Sequence, residues 1–195
     1  TTKVFASYTL SNIIYPDYID ISNIYTINYN NANAGNKTII YNNLVLIGPL
    51  YFNYFINSTG SLLGTIYKSP LTITWFGLNK TYDTTTLATI TYTISGIFSS
   101  DTININYSAA FSDANVGNKI IYINNINLVG SNTFNYTTSI SGTTNAIINP
   151  KTLNITFTPY SKIYDATTIT KSSYIINGIY SSDTIDLSNN LQLIF

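Results

Sequence analysis

Apolar side chains recur at alternate positions along most of the chain. The stretches "LTITW" (Leu71–Trp75), "ATITYTIS" (Ala88–Ser95), "TININY" (Thr102–Tyr107), "KIIYINNI" (Lys119–Ile126), "FNYTTSIS" (Phe134–Ser141) and "AIINPKTLNITF" (Ala146–Phe157) carry the pattern most clearly. A period of two marks a half-buried strand, because successive side chains point to opposite faces of the pleat. Gly, Asn, Ser or Asp bounds each run, and no stretch shows the helical period. Roughly seven short strands in about 80 residues predict a small, antiparallel, Ig-like β-sandwich. The last run passes through Pro150 with no Gly/Ser linker, which predicts one strand leaving a module and opening the next.

The pattern repeats. A shift of 82 positions lays Lys80, Tyr82 and Asp83 on Lys162, Tyr164 and Asp165. The same shift lays "SGIFSSDTI" (Ser95–Ile103) on "NGIYSSDTI" (Asn177–Ile185), "NAGNK" (Asn33–Lys37) on "NVGNK" (Asn115–Lys119), and "FNY" at Phe52–Tyr54 on "FNY" at Phe134–Tyr136. A unit of about 82 residues exceeds the ~20–50 of a solenoid coil and suits a small autonomous domain. The expected organisation is a partial first copy at 1–70, a complete module at 71–156 and a partial third copy at 157–195. The first copy lacks its opening strand and its Tyr–Asp pair, so the chain is expected to be a slice of a longer array. The fold class expected is all-β, with tandem Ig-like sandwiches forming an elongated rod.

Composition narrows the chemistry. All eight acids are Asp and all eight bases are Lys, with no His, Cys or Met. Thiolate chemistry, disulfides and Cys/His zinc sites are excluded. A net charge of +0 gives no field to steer nucleic acid, and no apolar run approaches the ~18 residues of a membrane-spanning helix. The opening "TTKVFASYTL" shows neither the basic nor the apolar region of a signal peptide.

Several residues invite a sharper reading. A catalytic Tyr82–Asp83 couple, repeated at Tyr164–Asp165, would need a pKa tuned near neutrality by partners that this alphabet supplies poorly. The structural alternative makes Lys80, Tyr82, Asp83, Pro150, Lys162, Tyr164 and Asp165 a joint between modules, each Asp capping a turn and each Lys pairing with the Asp three residues on. Asp83, Asp101 and Asp113 are the available calcium carboxylates, but they are dispersed, whereas calcium sites gather several around six to eight oxygens. Lys119 and Lys151 are the lysines placed for an isopeptide cross-link. Glycosylation sequons begin at Asn36, Asn57, Asn79, Asn106, Asn135 and Asn154, about as many as chance supplies in so Asn- and Thr-rich a chain. Trp75 aligns with Phe157, an ordinary repeat position, and is expected in core or joint packing.

Taken in order, "KTYD" with "TTT", "SGIFSSDTI", "AAFSDANVGNK", "LVGSNTFNYT" and "INPKTLNIT" resemble the YDG/MBG-type β-rich repeats. Such repeats recur in large bacterial surface proteins, including haemagglutinin-like adhesins, and similar ones occur in giant-virus proteins. The resemblance implies a non-enzymatic, extracellular cell- or virion-surface stalk without cofactors. Self-association into a rigid filament is the expected function; an adhesin module binding host glycan or protein is the alternative. One departure stands out. The glycine usual after Tyr–Asp is Thr84 here and Ala166 in the next copy, which puts a left-handed turn at that position in question.

Overall fold

The computed structural model describes residues 7–22, 25–98, 100–170, 172–185 and 193–194. The fold is all-β. Strands are joined by turns and by two short 3-10 segments, Tyr51–Asn53 and Thr133–Asn135, and no α-helix occurs among the described residues. β-branched and aromatic side chains favour the pleated surface, and Asn and Gly accept the backbone angles its turns demand.

The chain divides into two compact units. One comprises Thr1–Thr72, Ile94–Asn104 and Leu128–Thr138. Its main sheet is antiparallel, with Gly35–Asn42 between Thr26–Tyr29 and Gly60–Ile66. Asp20–Ile21 pairs with Leu46–Ile47 antiparallel, and Ser69–Pro70 pairs with Tyr136–Thr137 in parallel. Two apolar clusters lie inside. Ile19, Ile21 and Leu46 form one, with Tyr54 against it; Leu71, Ile103 and Tyr136 form the other, with Ile94, Ile97 and Leu128 around them.

The second unit comprises Ile73–Thr93, Ile105–Asn127 and Ser139–Phe195. Here Gly117–Gly130 pairs antiparallel with Gly142–Asn149, which pairs in parallel with Lys80–Thr81. The register places Ile121, Ile123, Ala146 and Ile148 on one face, and the three isoleucines have no exposed surface. Inward alternation then changes phase. Ile121 and Ile123 are buried, and the next buried position is Ile126, because Asn125 at φ 56° inserts an extra residue. Trp75, Tyr92 and Tyr107 meet edge to face, with centroids 5.5 to 5.8 Å apart, and Gly142 leaves the room Trp75 occupies. Asn154–Pro159 pairs antiparallel with Ser172–Asn177.

Two expectations need correction. The run through Pro150 is not one strand: Gly142–Asn149 ends before it and Asn154–Pro159 begins after Leu153. Proline has no N–H to give a ladder, so the pairing lapses there. The pairing is also not purely antiparallel, since two short parallel pairs accompany the longer ladders.

Left-handed backbone positions fall at a fixed interval. Gly35 and Gly117, Asn43 and Asn125, Gly48 and Gly130, Thr84 and Ala166, and Gly96 and Gly178 are five pairs of positive-φ residues, each 82 apart. Gly48 and Gly130 illustrate the cause: a Cβ at either would strike a backbone carbonyl, of Tyr18 or of Thr102.

Candidate functional site

The recurrent polar feature is a tyrosine hydroxyl closed onto a turn that ends in aspartate. In the turn Ile14–Asp17, the Asp17 N–H donates to the Ile14 carbonyl at 2.8 Å. The Tyr54 hydroxyl accepts from the Ile14 N–H at 3.1 Å and donates to the Asp17 carboxylate at 2.7 Å. Phe98–Asp101 repeats the arrangement: Asp101 N–H to Phe98 carbonyl 2.9 Å, Phe98 N–H to Tyr136 hydroxyl 3.1 Å, Tyr136 hydroxyl to Asp101 carboxylate 2.6 Å. Each tyrosine immediately follows a 3-10 segment that aims its ring, and each ring packs on one of the apolar clusters. A phenol suits this position because its body is apolar and its tip both donates and accepts.

The turn Tyr180–Asp183 is closed from a different direction. Its Asp183 N–H donates to the Tyr180 carbonyl at 2.9 Å, and the Tyr82 hydroxyl donates to the Asp183 carboxylate at 3.0 Å. The Tyr82 and Tyr180 rings meet edge to face at 6.0 Å, and the Lys151 ammonium lies 3.5 Å from the Tyr180 centroid.

Tyr82 and Asp83, adjacent in sequence, therefore do separate work. Asp83 builds a local knot in which one carboxylate oxygen accepts from Lys80 Nζ at 2.7 Å, the Thr85 N–H at 3.0 Å and the Thr85 hydroxyl at 2.9 Å. Lys80 Nζ also donates to the Thr85 carbonyl at 2.6 Å. Lys162, Asp165 and Thr167 reproduce the knot at 2.7, 3.0 and 2.8 Å. Inside each knot Thr84 or Ala166 takes a left-handed conformation, φ 67° and 56°. The turn thus keeps positive φ without glycine, and the side-chain bonds on either side hold it there. Tyr164, the counterpart of Tyr82, is 91% exposed.

Electrostatics follow from these bonds. Lys80, then the Thr85 N–H, hold the Asp83 carboxyl at about 2. Tyr136 and Asn132 lower Asp101, Lys119 and the Asn115 N–H lower Asp113, and Lys162 and Thr167 lower Asp165. The phenols move the opposite way: Asp183 raises Tyr82, while burial and then Asp101 raise Tyr136. The lowered Asp101 carboxyl and the raised Tyr136 phenol keep their hydrogen bond intact near neutrality. All seven described aspartates are met by a lysine or a tyrosine hydroxyl.

The calcium candidates are not brought together. Asp83 serves the knot, Asp101 a clasp and Asp113 an ion pair with Lys119 at 2.7 Å, and the described residues contain no cluster of three metal-ligating side chains. The sequons divide. Asn36, Asn79 and Asn135 hydrogen-bond within the protein, to Thr65, the Ile147 N–H and the Ala34 N–H, and all six except the half-buried Asn135 are exposed. Pro150 marks the break between two strands, close to the Tyr82 N–H that donates to the Asn149 carbonyl at 2.9 Å.

Sequence reasoning missed the clasps. Their signal was present, since "FNY" and the Ser-Ser-Asp turn recur at the same interval, each with a hydrogen-bonding tip. No curated protein and no solved structure matches the chain. A family does match its middle, over the trio around Trp75, the first knot and the Phe98–Asp101 clasp: residues 67–146 match the YDG domain.

Proposed function

We propose that the chain is a structural segment of an extracellular or virion-surface fibre or stalk, built from tandem Ig-like β-sandwich modules of about 82 residues set end to end. The modules are 71–156 and the partial copies 1–70 and 157–195, and the role is mechanical rather than catalytic. The observation that carries this reading is the bond from Tyr82, in the opening segment of one copy, to Asp183, in the Ser-Ser-Asp turn of the following copy. Such a contact ties neighbouring copies through the Tyr–Asp segment of one and the Ser-Ser-Asp turn of the next. The left-handed positions paired at the repeat interval support the same reading, because equal backbone demands at equal spacing are what duplicated modules require.

Copies of the chain associate laterally into a rigid filament. Support comes from the surface: Leu63, Ile163, Phe55 and Tyr164 are each at least 87% exposed, and three of the chain's few lysines are spent on pairs with aspartates. Apolar side chains beside strands with little charge favour edge pairing. Multi-angle light scattering over a rising concentration series tests this. Particle mass should climb with concentration and elongated filaments appear by negative-stain microscopy; a strictly monomeric particle at high concentration would rule the filament out.

A further inference from the structure

A cleft of about 790 Å³ opens within the first unit, and its lining has a distinct chemistry. Three asparagines (Asn33, Asn132, Asn135), the carboxylate of Asp101, and the rings of Tyr67 and Phe98 face it. Tyr67 is 86% and Phe98 65% exposed, so both offer ring surface to an occupant. The amides are pre-positioned. Asn135 accepts from the Ala34 N–H at 2.7 Å and its amide nitrogen reaches Asn33 at 3.4 Å, while Asn132 donates to Asp101 at 2.7 Å. Among the described residues, nothing takes up the amide nitrogen of Asn33 or the amide oxygen of Asn132.

We infer that this cleft binds a neutral carbohydrate of one or two sugar rings. Its volume falls in the ~300–1,000 Å³ range of small-molecule sites. A pyranose has one face of C–H groups, which packs on an aromatic ring, and a rim of hydroxyls that both donate and accept, as side-chain amides do in return. No lysine is among the described residues lining the cleft, so a phosphorylated, sulfated or carboxylated sugar would find no counter-ion, and Asp101 would repel it. A peptide fits less well. Peptide strands dock on open sheet edges or sink large anchors into apolar pockets, whereas this lining comes mostly from turns and Ser69 of the short strand beside it is already paired with Tyr136. The inference stands apart from the mechanical role, since a module can brace a fibre and also hold a sugar.

The test is a ¹⁵N-labelled chain titrated with methyl glycosides of neutral hexoses and N-acetylhexosamines, with N-acetylneuraminic acid and a peptide mixture as comparison arms. The side-chain amide signals of Asn33, Asn132 and Asn135 should shift saturably with a neutral glycoside. Tyr67→Ala should weaken binding roughly tenfold, about the worth of one stacking contact. That ring is too exposed for its loss to unfold the unit, and Phe55→Ala, equally exposed but outside the lining, should bind unchanged. The inference is overturned if no glycoside moves those amides, if only the acidic sugar or the peptides do, or if Tyr67→Ala binds as tightly as the parent.

Discussion

At the scale of single residues, Thr84 is the one β-branched residue at positive φ among the described residues. A β-branched side chain at φ 67° meets the clash that makes left-handed angles rare for L-residues. The Lys80–Asp83–Thr85 knot holds it there, so relieving the clash should leave the turn in place. Thr84→Gly is expected to stabilise the protein by up to about 1 kcal/mol, read as a higher denaturant midpoint with an unchanged slope. A lower midpoint would mean that the knot does not impose the left-handed turn. Tyr136→Phe probes the clasp. It keeps the ring, deprives the Phe98 N–H and the Asp101 carboxylate of their shared partner, and should lower the melting temperature by about 5 °C. Tyr164→Phe, at an exposed hydroxyl, should change it by less than about 1 °C, within the ordinary scatter of surface substitutions.

The same bonds set the pH response. The lowered carboxyls of Asp83, Asp101, Asp113 and Asp165 contribute stability that is complete above the unfolded value of ~3.9 and lost as pH falls through their folded values. For Asp83 that loss runs from the unfolded ~3.9 down through a folded value of about 2. The raised phenols of Tyr82 and Tyr136 contribute stability present below ~10 and lost as pH rises through their folded values. With no His or Cys, no side chain has an ordinary pKa in the interval between. The melting temperature should be flat from about pH 5 to 9 and fall outside that window on both sides; a step near pH 6–7 would contradict the assignment.

At the scale of elements, most strands were legible because period-two alternation and turn residues agree, and the buried Ile121, Ile123 and Ile148 lie in runs that alternate visibly. Ile123→Ala removes a side chain with no exposed surface and should cost about 3 kcal/mol by chemical denaturation. The same substitution at Ile120, 45% exposed on the opposite face, should cost well under 1 kcal/mol. Two features were not legible. The strand break at Pro150 was hidden because alternation continues across it, although the missing N–H ends the pairing. The clasps were hidden because no local pattern records that Tyr136 reaches Asp101 or that Tyr82 reaches Asp183. The knots were the reverse case, since a Lys three residues before an Asp that caps its own turn is a short-range arrangement, and it forms in both copies.

At the scale of the whole molecule, the proposed array rests on Tyr82 and Asp183 joining one copy to the next. Small-angle X-ray scattering on this chain, and on one lengthened by a further 82-residue copy, tests that claim most directly. Tandem modules held end to end predict that the added copy extends the maximum dimension by about 30 Å, the span of a nine-residue strand, at constant cross-section. Tyr82→Phe combined with Asp183→Asn should broaden the distance distribution without unfolding either chain. A maximum dimension that stays the same while the cross-section thickens, or a double variant whose scattering matches the parent's, would contradict it.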